Sequence, residues 1–337
     1  MKTLMLTLLL LSSLLNAGCF SQPKPYNDTR FLMDTTVSID AAGRDNDKVK
    51  AAVDTAFRSL QSVADETDRY KNVSARGLYQ LNAHAGQGPF LVGQHLFNLA
   101  QMAKEQSFNE FDATLVPLID LWRQHGAAKT IPAKEDIAAR LLLTGKDKFS
   151  IDQHGQTITL SAGAGLDLGA IAKGYAVDLA ADVLTKDKSI TYALINAGGN
   201  IKTVGTKADG KPWRIALQDP RRSGSYLGII QLNAQEAIAT SGDYQRYYEI
   251  DGIRYHHILD PHTGRPACNA ISVTIVTPSA LLADYYSTLL FVLPHEKALE
   301  VLATHPEISA IIVKPNQEIY ISPSLQSRFE ATPAGGK

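Results

Sequence analysis

Two cysteines in 337 residues cannot staple a fold, and they form no Cys-x-x-Cys pair. There is no His-Glu-x-x-His, and the nine histidines are scattered, so the common zinc-site patterns are absent. No Walker A sequence occurs, because Gly169–Gly174 lacks the glycine-lysine-hydroxyl order. Gly163, Gly165 and Gly169 miss the spacing of a dinucleotide fingerprint by one residue. Neither sign of charge is in excess: 33 Lys+Arg stand against 34 Asp+Glu, a net charge of −1. With no basic surplus to neutralise phosphates, the simplest basis for nucleic-acid binding is missing. The longest apolar run, Leu4–Leu15, has 12 residues, short of the about 20 that span a bilayer.

What is present is the composition of a globular enzyme-sized chain, 45% hydrophobic and 20% charged. Its length suits one large domain or two ordinary ones. The start differs from the rest. Lys2 is the sole charge before Lys24, and the apolar run that follows has signal-peptide length. Asn16-Ala17-Gly18-Cys19 then reads as a lipoprotein-type processing site with Cys19 lipidated, the alternative being ordinary cleavage after Ala17. Residues 1–18 are therefore expected to be a signal segment, 19–30 a tether and 31–330 one catalytic unit. Export places the protein on the periplasmic side of a bacterial inner membrane, lipid-anchored, or free if Cys19 carries no lipid. Cys268 is then left alone, and without a helix N-terminus to lower its thiol pKa it reads as packed.

Periodicity predicts a strand over Phe31–Asp40 and a helix near Lys48–Asp68 carrying Val49, Val53, Phe57, Leu60 and Val63. Further helices are predicted at Leu91–Glu105, Lys134–Leu143, Ile171–Leu184, Leu281–Phe291 and His295–Ala303. Short β-rich runs fill Ala193–Ile250, and two more lie at Ala310–Val313 and Glu318–Ile321. Helix-rich and strand-rich stretches are partly segregated, which favours an α+β fold over regular βαβ alternation.

Four segments carry chemistry. Phe111-Asp112-Ala113-Thr114 precedes an amphipathic run, and Asp167 precedes a glycine turn and a helix. Asn196-Ala197-Gly198-Gly199-Asn200 ends a strand where backbone can approach a ligand closely. Thr240-Ser241-Gly242-Asp243-Tyr244 leads to His256-His257-Ile258-Leu259-Asp260-Pro261. Each alone is an ordinary cap or turn. In this order, from about Met33 to Thr288, they resemble the ApbE family of flavin transferases, which move FMN from FAD onto a protein threonine or serine.

The resemblance implies a T-fold-related α+β architecture, FAD as substrate and Mg²⁺ as cofactor. It implies flavin-nucleotide contacts at Met33 and Tyr70, and an adenosine-binding turn at Asp112, Ala113 and Thr114. It places further FAD contacts at Asp167 and Lys173, with Ile258 packing beside the cofactor. The magnesium site would comprise Asp284, Thr288 and the backbone carbonyl of Ala170. His257 would be catalytic, with His256 peripheral. Acceptors would be exported flavoproteins or subunits of membrane redox pumps. The residues agree in part: Asp284 and Thr288 are four apart in a predicted helix and share a face, and magnesium prefers oxygen donors. The pattern departs at Asp34, where glycine commonly follows the methionine, at Asp68, which lacks the usual serine, and at Asn200, where an acid is frequent. A Mg²⁺-dependent FAD pyrophosphatase and a non-catalytic FAD-binding lipoprotein remain as alternatives.

Overall fold

In the computed structural model, which describes residues 25–106 and 108–332, the chain opens with a hairpin of β1 (Tyr26–Leu32) and β2 (Thr35–Gly43). This corrects two expectations: the tether ends before Tyr26, and Phe31–Asp40 is two strands. The turn residues Met33 and Asp34 have φ of 52° and 56°. With Leu32 paired to Thr35, this is a two-residue loop of the kind whose twist suits a hairpin. Of the pair only Asp34 is a common turn residue, with no glycine or asparagine beside it, so the strand pattern runs through it in the sequence. The signal segment and Cys19 lie outside the described residues.

The chain continues through α1 (Asn46–Thr67), α2 (Leu78–Ala83), β3 (Pro89–Leu91), α3 (Gln94–Glu105), α4 (Val116–Ala128) and α5 (Lys134–Leu141). Next come β4 (Phe149–Asp152), β5 (Thr157–Leu160), α6 (Ala172–Lys186), β6 (Ile190–Ala197), β7 (Asn200–Gly205) and β8 (Trp213–Gln218). They are followed by β9 (Tyr226–Leu232), β10 (Ala237–Gly242), β11 (Tyr247–Ile250), β12 (Ile253–His256) and β13 (Ser272–Thr277). The C-terminal part comprises α7 (Ala280–Val292), α8 (His295–Thr304), β14 (Ser309–Val313), β15 (Ile319–Ile321), α9 (Pro323–Gln326) and β16 (Phe329–Ala331). The α+β expectation is borne out.

Helix α1 starts where the Asp45 carboxylate accepts from the Asp47 and Lys48 amides, satisfying two of the four orphan donors. All five apolar positions predicted for it are buried. They pack on the central sheet of eight strands, ordered β1-β2-β6-β7-β10-β13-β14-β15 and antiparallel throughout. Alternation sorts its side chains between two faces. Ala193 and Ile195 of β6 meet α1 and α6, whereas Leu194 faces the other way. Val273 and Ile275 of β13 join the core around α7, and Val276 joins the opposite one with Ile230 and Leu232 of β9.

Helices thus cover one face, and the three-stranded sheet β16-β9-β8 covers the other. Two smaller sheets, β3-β5-β4 and the ribbon β11-β12, stand apart from this sandwich. Strand β13 is buried along its whole length. Covered on both sides, it buries even its polar residues Ser272, Thr274 and Thr277, although its Ser-Val-Thr-Ile start alternates as a half-exposed strand does.

A side chain other than glycine or asparagine in the left-handed region costs free energy, about 1–2 kcal/mol for a typical residue and less for aspartate. Asp34 retains one exposed ion pair there, 3.8 Å from Lys71, worth little in water. Asp34→Gly is therefore expected to raise unfolding stability by about 0.5–1 kcal/mol, read as a higher denaturant midpoint. A lower midpoint would mean that the Lys71 contact outweighs the turn strain.

Candidate active site

The turn before α6 is built around Asp167. Its Oδ1 accepts from the Gly169 amide at 2.8 Å, and its own amide donates to the Ala113 carbonyl at 2.8 Å. Its Oδ2 lies 2.7 Å from Arg69 Nε, close but not aligned as a hydrogen bond, so the contact is Coulombic. Arg69 is almost wholly enclosed, reaches Asp120 at 2.9 Å, and lies 4.2 Å from the centre of the Tyr70 ring. Asp167 thereby joins two predicted contact regions, Ala113 on one side and Tyr70 on the other.

Behind this turn α6 crosses α7 at a distance only glycine permits. A Cβ on Gly174 would lie 2.2 Å from the Ala280 carbonyl oxygen. The approach lets the Gly174 amide donate to Asp284 Oδ2 at 3.0 Å. That amide is a helix-start donor with no partner inside α6, and no backbone amide among the described residues donates to the Ala170 carbonyl just before the helix. Asp178 fixes the same crossing from α6, accepting from Ser279 Oγ and the Ala280 and Leu281 amides at 2.7–3.0 Å. It also pairs with Lys202 at 2.6 Å.

Two of the three predicted metal donors, the Asp284 carboxylate and the Thr288 hydroxyl, lie one turn apart on α7, and the third, the Ala170 carbonyl, belongs to the turn before α6, the helix whose Gly174 amide Asp284 holds. Thr288 Oγ1 lies 3.1 Å from Ser241 Oγ. The Lys173 ammonium lies 3.0 Å from the Gly169 carbonyl and 3.5 Å from Asp284 Oδ1. The Asp284 carboxylate thus already faces a cation. One carboxylate, one hydroxyl and one carbonyl suit a hard divalent ion that keeps water or phosphate oxygens as its remaining ligands. No group of three or more His, Cys, Asp or Glu side chains able to hold a metal occurs among the described residues, consistent with a donor set largely of neutral oxygens.

The ribbon β11-β12 delivers the two histidines. His256 ends β12 and is buried; its Nε2 is 2.8 Å from the Ala267 carbonyl, and its Nδ1 accepts from the Ile258 amide at 3.3 Å. This pattern requires the neutral ring with its proton on Nε2. Burial lowers its pKa, opposed by the Ala267 bond and Asp243 and assisted by Arg254 and Arg221. His256 is therefore a structural pin, not the peripheral group expected.

His257 has the reverse arrangement. Its Nδ1 lies 3.2 Å from the Arg246 carbonyl, which also accepts its backbone amide at 3.1 Å. A carbonyl only accepts, so Nδ1 carries the proton and Nε2 is the free base. Crowding pushes the His257 pKa down to about 4, with His256, Arg246 and Lys173 adding in the same direction. One part of the ring is exposed to water, so desolvation there is partial; the direction suffices, leaving the ring neutral at pH 7.

Two cavities flank the Asp167 turn. One of about 290 Å³ is lined by Phe111, Asp112, Thr144, Gly145, Pro261 and His262, among others. Thr114, fully buried, braces it: its hydroxyl and amide donate to Asp112, and the hydroxyl accepts from Gly145. The other, about 520 Å³, is lined by Arg69, Tyr70, Tyr79, Asp120 and Arg123. Neither is lined by Lys173, Asp284 or His257. Met33 is half-buried against the helical cores, and its turn is tied to the Tyr70 segment by Lys71 and Asp34. Ile258 is 7% exposed and belongs to the main core. Asn200 is buried with its Nδ2 unpaired. Cys268 is a free, exposed cysteine, against the expectation that it is packed. Arg69, Gly174, Asp178 and Ser241 were not singled out as site residues from sequence, although Gly174 and Ser241 lie in segments quoted above.

The sequence profile of the ApbE family matches residues 33–312. The chain belongs to the ApbE family. A relative from Klebsiella pneumoniae (strain 342), named FAD:protein FMN transferase, is 38% identical over 261 residues, covering 76% of this chain and 80% of that protein. One of the same name from Vibrio cholerae is 33% identical over 316 residues, covering 90% and 92%. Among solved ApbE structures, the protein from Thermotoga maritima superposes with a TM-score of 0.80 at 30% identity, covering 89% of this chain and 98% of its own. The apo flavinyl transferase ApbE from Pseudomonas stutzeri gives 0.77 at 30% identity, covering 93% and 99%. The fold expected for an ApbE-family chain is thus the fold observed.

The buried His256 has a consequence for stability. Its folded pKa is lowered, so its contribution is complete above the unfolded value of about 6.5 and is lost as pH falls below it. Between pH 6.5 and 5 the His256→Asn variant is expected to lose less stability than the native chain. The difference in slope is up to about 1.4 kcal/mol per pH unit, read from denaturant midpoints across that range. Parallel profiles would mean that the ring accepts a proton in place.

Proposed function

We propose that this ApbE-family chain is an FAD:protein FMN transferase, a Mg²⁺-dependent enzyme that esterifies a threonine or serine hydroxyl of a flavoprotein with FMN. The observation that carries the reading is the agreement of two things: relatives of that name aligned over most of the chain, and a neutral histidine opposite a cation-holding turn. The acceptor oxygen attacks the FMN phosphorus, the bond to the AMP phosphate oxygen breaks, and AMP leaves. A magnesium ion held by Asp284, Thr288 and the Ala170 carbonyl would supply charge neutralisation at the pyrophosphate.

The residues of the chain do the remaining work. His257 takes the acceptor's proton on Nε2, which the Arg246 carbonyl keeps free by holding the proton on Nδ1. A low pKa keeps that nitrogen unprotonated at neutral pH, at some cost in basicity. Asp112, Ala113 and Thr114 with the adjoining cavity suit the adenosine end, and Tyr70 with Met33 suits the flavin end. Asp167 sits where both ends meet the helix-start turn, and Lys173 provides a positive charge for the phosphates. Ile258 supports the strand exit from within the core and acts by packing alone. The N-terminal Lys2, apolar run and Cys19 are the basis for reading the enzyme as lipid-anchored on the periplasmic side of the inner membrane. Its partners would be acceptor domains of exported or membrane redox flavoproteins.

Incubating the mature chain with FAD, Mg²⁺ and a threonine-containing acceptor domain is expected to add one FMN to the acceptor, persisting after denaturation in the intact mass. Release of FMN and AMP without an adduct would mark hydrolysis, and unchanged FAD would mark binding alone; either contradicts the proposal. His257→Ala is expected to retain FAD affinity and to lose roughly 10²–10⁴-fold in transfer rate, the usual worth of general-base help. An unchanged rate would remove His257 from the mechanism.

A further inference from the structure

Three hydroxyls join α7 to the end of β10 in a buried chain. Ser287 Oγ donates to the Asp284 carbonyl at 2.9 Å. Ser241 Oγ lies 2.9 Å from Ser287 Oγ and 3.1 Å from Thr288 Oγ1. Ser287 and Ser241 are 1% and 8% exposed, so water does not readily compete for their protons.

Each hydroxyl owns one proton, and this fixes the direction of the chain. A carbonyl cannot donate, so the Ser287 proton is committed to Asp284 O. Ser287 can then only accept from Ser241, whose proton is thereby committed too. Ser241 can then only accept from Thr288. The Thr288 proton therefore points at Ser241, away from the Asp284 carboxylate side of the site, and its remaining lone pair is left unused. The opposite polarity would break the Ser287–carbonyl bond and aim a hydroxyl proton at any cation in the site.

We propose that Ser241 and Ser287 are positioning residues that set the Thr288 hydroxyl as a lone-pair donor to a hard divalent cation shared with Asp284 and the Ala170 carbonyl. This rests on the magnesium reading above. Neither serine touches substrate or metal; both act through Thr288. Groups behind metal ligands orient them in the same way, and their removal usually costs about 10–100-fold in metal affinity.

The test measures Mn²⁺ binding to the FAD-loaded full-length mature chain by the loss of the free-ion EPR signal, with Mg²⁺ as competitor. Ser241→Ala is expected to weaken Mn²⁺ binding about 10–100-fold, while Ser241→Thr, which keeps a hydroxyl, largely preserves it. Ser287→Ala removes no hydrogen-bond partner of Thr288, yet is expected to weaken binding several-fold because the polarity is no longer fixed. In a Thr288→Val background, Ser241→Ala is expected to cost nothing more. The metal-free melting temperatures of the variants separate a folding defect from a binding one. Unchanged Mn²⁺ affinity in both alanine variants, or an equal loss by Ser241→Ala without the Thr288 hydroxyl, overturns the proposal. A native chain that takes up no Mn²⁺ would overturn the magnesium reading itself, and this proposal with it.

Discussion

The close crossing of α6 and α7 at Gly174 is the constraint on which the site depends. Because no side chain intervenes, the Asp284 carboxylate reaches across to the first turn of α6 and takes the Gly174 amide. One hydrogen bond then has two effects. It gives the buried Asp284 carboxylate a partner, and it satisfies a helix-start donor that α6 itself leaves orphaned; the Ala170 carbonyl before that turn accepts from no backbone amide among the described residues. Asp178 holds the crossing from the opposite direction by capping α7 with three hydrogen bonds from its side. The helices cap each other, and the site is the space their mutual capping leaves. A shift of either helix would separate the carboxylate and hydroxyl on α7 from the carbonyl before α6.

The electrostatics follow from the same economy. A chain of net charge −1 has no overall basic excess to draw a dinucleotide's phosphates. Beside the turn before α6 it has the partly enclosed Lys173 ammonium. Asp167 and Arg69 neutralise each other beside that turn, so the acid can organise the backbone without repelling an anionic ligand. The two histidines divide their work by the carbonyls they face. His256 spends its Nε2 proton on Ala267 and becomes part of the core; His257 spends its Nδ1 proton on Arg246 and keeps Nε2 for the cleft.

Much of this was legible in the sequence because it follows local rules. The five buried positions of α1 came from helical period, whereas Asp284 and Thr288 came from the family resemblance, with which their one-turn spacing agrees. The ordered motifs identified the family whose fold the chain has. What was missed depended on contacts between distant segments or on unusual local chemistry. Met33 and Asp34 make a tight turn without glycine or asparagine. Strand β13 buries its polar residues because the sheet is covered on both sides. Arg69 gains meaning only when Asp167 and Asp120 are brought to it across the fold. Ser241 was visible in its motif, but its direction of donation depends on a carbonyl in α7, 43 positions on from it. Cys268 looked like a packed residue and is exposed, since nothing in Pro-Ala-Cys-Asn specifies burial.

The central proposal is that the α6–α7 crossing would hold a divalent cation between Asp284, Thr288 and the Ala170 carbonyl, displacing the Lys173 ammonium from Asp284. Anomalous diffraction from crystals grown with FAD and Mn²⁺ tests it most directly. The account predicts one manganese peak in contact with all three oxygens, with the Lys173 ammonium moved off Asp284. A peak elsewhere, with the Lys173–Asp284 pair intact beside bound FAD, would contradict it.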